Sequence, residues 1–169
     1  MGHYRDHHAT IFVAPGVAGP IEATRRRWDP HMATQIAAHV TLADPHEAPI
    51  LDLLFQRVRE SSRRCRPFRL RLGGLACFDR PEDGVYVTVE DPDGGYRKLR
   101  DELLRPPFQG IARSPHVTLV HPRTSSRGRE LWDRGVYEEQ GPEFTAEEVT
   151  ITAFDGTKWV VLMTCPLRG

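Results

Sequence analysis

Two short segments hold the residues best suited to chemistry. His39-Val40-Thr41-Leu42 recurs letter for letter as His116-Val117-Thr118-Leu119, 77 residues later. Each lies in a short strand-like run, Ala37 to Ala43 and His116 to Val120. Residues i and i+2 of a strand point to one face, so His39 shares a face with Thr41 and His116 with Thr118. Two imidazoles facing one groove divide acid–base work, one accepting a proton while the other donates. Two hydroxyls beside them are donors for anionic oxygens. This set suits attack on a phosphodiester. One histidine activates a water or hydroxyl, the other protonates the leaving oxygen, and no metal is required.

The elements that must position these residues repeat too. Ahead of the first motif, Ala9 to Ala14 reads as a strand and Ile21 to Trp28 as a helix. After it, Asp44, Pro45 and Glu47 form a helix-start signature. Ile50, Leu53, Leu54 and Val58 recur at helical spacing, predicting a helix over Glu47 to Ser62. Phe68, Leu70 and Leu72 alternate as a strand that a Gly73-Gly74 interruption divides, and Val85, Val87 and Val89 alternate as its partner. Tyr96, Leu99 and Leu103 mark a short helix that Pro106-Pro107 ends. The second motif is followed by helix-like residues from Arg129 to Tyr137. A strand over Val149 to Ala153, an Asp155-Gly156 turn and a return strand from Trp159 to Met163 come next. Phe68 lies 29 residues after His39, and Phe144 lies 28 after His116. A duplicated strand–helix–strand–strand unit, about 37–90 and 114–165, accounts for these offsets. The expected fold class is α/β (α+β), a single bilobal domain over residues 1–169 with the two units about a pseudo-twofold axis and a central groove between them.

The remaining candidates are weaker. His46 falls at a predicted helix start, His31 in a loop, and His3, His7 and His8 near a terminus expected to fray. His121 would point to the opposite face if its strand ran that far, and reads as structural or peripheral. Cys65, Cys77 and Cys165 form no CxxC pair and no zinc-finger spacing, so they read as reduced structural thiols. Tyr86, Phe12 and Trp159 could stack on a base but read first as core. Seven Arg and one Glu fall between Arg57 and Arg71, whereas Arg129 to Glu148 holds seven acids and two Arg. The basic run reads as a solvated face, with an RNA-tracking edge as the alternative.

Composition narrows the classes. The 169 residues make one domain or two small lobes, long enough to bury a core without disulfides or metal. Basic and acidic residues number 23 each, which argues against a protein that coats nucleic acid through bulk charge. No apolar run approaches the roughly 18 residues of a membrane span. The polar start from Met1 to Asp6 has no apolar signal core, so a cytoplasmic location is expected.

The two His-Val-Thr-Leu copies, their spacing and the elements after them resemble the 2H phosphoesterase superfamily, whose signature is a pair of His-x-Thr/Ser motifs in a bilobal α/β fold. The nearest branch looks like the bacterial 2'-5' RNA ligase and cyclic phosphodiesterase group. The resemblance runs from about Ala9 to Leu167. It implies His39 and His116 as catalytic histidines and Thr41 and Thr118 as phosphate-contacting hydroxyls, with no cofactor and no metal. It further implies a metal-independent phosphoesterase that opens a 2',3'-cyclic phosphate on a cyclic nucleotide or RNA end. The expected partners are that substrate alone, with no DNA and no membrane, and the chain is expected to be a monomer. Two alternatives stay open: 2'-5' joining of RNA ends by the same site, and a non-catalytic RNA- or nucleotide-binding module. The motifs leave the acid and base roles of His39 and His116 open.

Overall fold

Apolar residues that alternate with polar ones, or run continuously where both faces are covered, build eight strands among the described residues. A computed structural model describes residues 6–135 and 140–169. His3 and the predicted helix end at Tyr137 lie outside the described residues. In chain order come β1 (His7–Phe12), α1 (Pro15–Trp28), α2 (Pro30–Gln35), β2 (His39–Ala43), α3 (Leu51–Ser62) and β3 (Phe68–Cys77). A 3₁₀ turn (Pro81–Asp83), β4 (Val85–Glu90), α4 (Gly95–Leu103) and β5 (His116–Val120) follow. The chain ends with α5 (Gly128–Arg134), β6 (Gln140–Ala146), β7 (Glu148–Phe154) and β8 (Trp159–Pro166).

The strands form one antiparallel sheet in the order β6-β3-β4-β5-β2-β1-β7-β8. The two motif strands are its centre. Four strands lie on the β5 side and four on the β2 side, and the ladder joining them holds one described pair, Val40 with Val117. That thin seam between two well-paired halves makes the α/β fold bilobal. The hairpin that follows each motif sits in the other motif's half: β3 and β4 lie beside β5, whereas β7 reaches β2 through β1. The chain therefore crosses the centre twice. Phe12 pairs with His39, and Thr88 pairs with His116, so β1 and β4 stand as equivalent flanks of the two motif strands.

Burial follows the period of two. Val40, Leu42, Val117 and Leu119 are fully buried, while His39, Thr41, His116 and Thr118 on the opposite face are half-buried. The buried faces pack with Leu54 and Val58 of α3, Leu99 and Leu103 of α4, and Ile21 and Trp28 of α1 in one apolar core. Gly73 sits at an irregularity in the β3–β4 ladder. A Cβ there would come within 2.3 Å of the Thr88 Oγ1, so a larger residue would force the Thr88 hydroxyl, on the strand that pairs with His116, to turn away.

The structure corrects several boundaries. Asp44 does not cap α3. Its carboxylate accepts from the backbone N–H groups of His46 and Glu47, closing a tight turn. A proline disfavours a helical residue before it, Ile50 is extended, and α3 begins only at Leu51. The helix α2 is absent from the sequence reading, because its six residues carry no apolar period; it forms because Asp29 accepts from the Met32 N–H and Pro30 opens the first turn. Strand β6 falls in the acid-rich stretch and is held at the sheet edge, where Arg71 of β3 pairs with Glu143. His7 and His8 are not a loose end: both lie in β1 and pair with Ala153 and Thr152 of β7, and the His7 ring bonds to the Ala48 carbonyl at 2.8 Å.

Candidate active site

Four side chains of the central strands open onto one cleft of about 480 Å³. Antiparallel pairing of Val40 with Val117 places His39 across from Thr118, and Thr41 across from His116. Each imidazole thus faces the other motif's hydroxyl, and the two histidines are diagonal neighbours, a relation of about 7–8 Å in a regular ladder. The sequence repeat and the sheet register together make a two-histidine, two-threonine set.

The two histidines are held alike. The Nδ1 of His39 bonds to the Ala37 carbonyl at 2.8 Å, and the Nδ1 of His116 to the Ser114 carbonyl at 2.9 Å. A carbonyl only accepts, so Nδ1 carries the proton in both rings and Nε2 is the nitrogen left for substrate. Among the described residues no hydrogen bond engages the side-chain hydroxyl of Thr41 or Thr118. Aromatic rings box each imidazole: Phe12 meets His39 edge-on at 6.2 Å, and Tyr86 and Phe78 meet His116 at 4.8 and 5.6 Å.

These surroundings favour neutral rings. Burial holds His39 down to about 4, and the Arg25 guanidinium and His116 push the same way; the Ala37 carbonyl and Glu22 carboxylate oppose them. Burial also lowers His116, with Arg113 adding to it against the Ser114 carbonyl. A bound phosphate anion favours imidazolium and reverses part of this. The optimum of kcat/KM for turnover that uses both rings, which reports the free protein, is therefore expected on the acid side of the ordinary histidine value of about 6.5. The optimum of kcat is expected at higher pH. Rate profiles from pH 4 to 9 check this, and a kcat/KM that climbs steadily through neutrality contradicts it.

The structure brings in residues that the sequence reading set aside. His8 lines the cleft and stacks on Trp159 with ring centres 4.4 Å apart. Burial foremost, with the neighbouring His39, pushes it down to about 3, so it stands as an uncharged wall. His121 also lines the cleft, contrary to the strand-parity expectation. Strand β5 ends at Val120, and the chain turns there because Asp29, fully buried, accepts from the His121 N–H and the Thr124 hydroxyl. A proline recurs at the same offset after each motif, Pro45 and Pro122, and the residues on either side of it, Asp44 and His46, His121 and Arg123, line the cleft with it. That extension of the repeat was the available signal. Arg113 reaches in before β5, tied to Asp44 after β2.

A family model for the 2'-5' RNA ligase superfamily matches residues 13–158. The chain belongs to the 2'-5' RNA ligase superfamily. Solved structures agree on the fold. TT0787 of Thermus thermophilus shares 19% identity with a TM-score of 0.67, over 97% of this chain and 98% of that one. Escherichia coli LigT complexed with 3'-AMP shares 20% identity with a TM-score of 0.63, over 99% and 100%. A further crystal structure, of a phosphoesterase, shares 18% identity with a TM-score of 0.60, over 98% and 99%. No match is found among curated proteins.

Among the described residues no group of three or more His, Cys, Asp or Glu is placed to hold a metal ion. None of the described helices is long and apolar enough to cross a membrane. The seven arginines from Arg57 to Arg71 do not line the cleft. Arg57 donates to the carbonyls of Leu103, Arg105 and Pro106, Arg64 pairs with Glu102, Arg69 with Asp93, and Arg71 with Glu90 and Glu143. The three cysteines are unpaired, and burial raises the thiols of Cys65 and Cys165, the reverse of activation.

Proposed function

We propose that this protein hydrolyses a 2',3'-cyclic phosphate, on a small cyclic nucleotide or an RNA end, by paired-histidine acid–base catalysis without a metal. The observation that carries the reading is the cross-strand set of His39, Thr41, His116 and Thr118 in one cleft. In it both imidazoles donate through Nδ1 to backbone and keep Nε2 for substrate. The cyclic phosphate sits between the rings. The Thr41 and Thr118 hydroxyls donate to its non-bridging oxygens. One Nε2 takes the proton of the attacking water as the new P–O bond forms. The other Nε2–H gives its proton to the ribose oxygen as the old P–O bond breaks. The products are a ribose hydroxyl and an open phosphate monoester, and a proton exchange with water resets the two rings.

Joining of RNA ends is served by the same two rings if a ribose hydroxyl of a second RNA end replaces water: its oxygen bonds to phosphorus as the ring P–O bond breaks, and the product is a phosphodiester. The test is a screen of 2',3'-cyclic nucleotides and cyclic-ended oligonucleotides in chelator, with product regiochemistry read by NMR. A single 2'- or 3'-monoester is expected. Intact substrate throughout, with RNA retained in a binding assay, would identify a non-catalytic nucleotide-binding module instead.

A further inference from the structure

The two histidines are held alike at Nδ1 but not beyond it. The carbonyl that accepts from His39 belongs to the Ala37–Ala38 peptide, and the N–H of that same peptide donates to the Glu22 carboxylate at 2.5 Å. Glu22 is in turn gripped by Arg25, whose Nη1 lies 3.1 and 2.9 Å from its two oxygens. Arg25 is 1% exposed and anchors its other arm on the Ile36 carbonyl. Helix α1 thus delivers a fixed carboxylate to the back of one peptide group. On the other side the equivalent peptide is Ser114–Pro115. Proline has no N–H, so nothing can polarise that carbonyl in the same way.

We propose that Glu22 is a positioning residue for His39, acting through the Ala37–Ala38 peptide. A carboxylate on the N–H end strengthens the peptide dipole, and the carbonyl becomes a better acceptor for the imidazole N–H. The ring is fixed in orientation and in its Nδ1–H tautomer, and its Nε2 becomes more basic. Carboxylates that bond a histidine directly do the same; here one peptide stands between. Only His39 has this device, so the two halves of a duplicated site are chemically unequal. The inference rests on the acid–base role proposed above for His39.

The ionisable groups about His39 are Glu22 and Arg25 from α1, His8 from β1 and His116 from β5, with Asp44 and Arg113 facing His8. Two variants isolate the relay. Glu22→Asp keeps a carboxylate beside Arg25 but withdraws it by one methylene from the Ala38 N–H. Ala38→Pro removes that N–H, leaves the Glu22–Arg25 pair intact, and copies the Pro115 that precedes His116. In labelled-histidine NMR titrations without substrate, His39 is expected to titrate at lower pH in both variants while His116 stays in place. In turnover, kcat/KM for a 2',3'-cyclic nucleotide is expected to fall about tenfold, with one limb of its pH profile displaced. A His39 titration that does not move, or equal movement of His39 and His116, overturns the proposal. A protein inactive on cyclic phosphates whose His39 still shifts would sink the cyclic phosphodiesterase reading and keep the relay. An active protein whose His39 stays still would do the opposite.

Discussion

His39→Ala and His116→Ala are each expected to lower turnover of a 2',3'-cyclic nucleotide by about 10²–10⁴ while the fold is kept. The size follows from what each ring does. Removing one leaves the other without its proton-transfer partner, so water must supply or accept the proton. Because the two act as a unit, the double variant is expected to lose little more than either single one. The fold survives because both side chains are half-buried at the cleft and the apolar packing beneath belongs to Val40, Leu42, Val117 and Leu119. Thermal unfolding and steady-state rates on the three variants check this. Turnover within a few fold of wild type in His116→Ala would reject the paired-histidine assignment.

Glu47→Ala is expected to cost about 3–5 kcal/mol of stability, a large share of the 5–15 kcal/mol of a typical domain. Glu47 is 1% exposed, and Arg100, 8% exposed, reaches it with both arms at 3.2 and 2.6 Å. The same carboxylate accepts from the Ile111 N–H at 3.0 Å. Arg100 donates as well to the carbonyls of Leu42, at the end of the first motif, and Ile111. Truncating Glu47 leaves a buried guanidinium without its paired carboxylate, with only the more remote Asp44 to offset its charge. The double variant Glu47→Leu with Arg100→Met removes both charges and is expected to lose less than the single one, because no uncompensated ion remains. Urea unfolding midpoints measure the difference. The effect reaches the cleft, since Arg113 sits 3.8 Å from Glu47 and ties to Asp44 in the turn after His39.

The four site residues were legible in the sequence because strand geometry needs only a period of two. A His-x-Thr on any strand puts both side chains on one face, and two identical copies in matching contexts imply two such faces. Most strands and the amphipathic helices α3 and α4 were legible for the same reason, from period alone. Helix α2 was not, because its stability comes from an Asp29 cap rather than from an apolar stripe. His8 and His121 were misjudged because terminal position and strand parity are local rules. What overrode them was distant: pairing of β1 with β7, and the Asp29 bonds across 92 and 95 residues to His121 and Thr124.

By itself the sequence determined that a His-x-Thr pair occurs twice, each on one strand face, and made those four side chains the candidates for the chemistry. Only the tertiary structure decided how they meet. The register of β2 on β5 crosses each histidine with the other motif's threonine, and the chain's two passages across the sheet place each hairpin in the opposite half. Only the folded chain sets Glu22, 17 residues before His39, behind a single peptide group, and so separates two histidines whose tetrapeptides are identical. Identical local sequence gives identical local geometry. Inequality between the two sites comes from neighbours that share no periodicity with them, and such neighbours are chosen by packing.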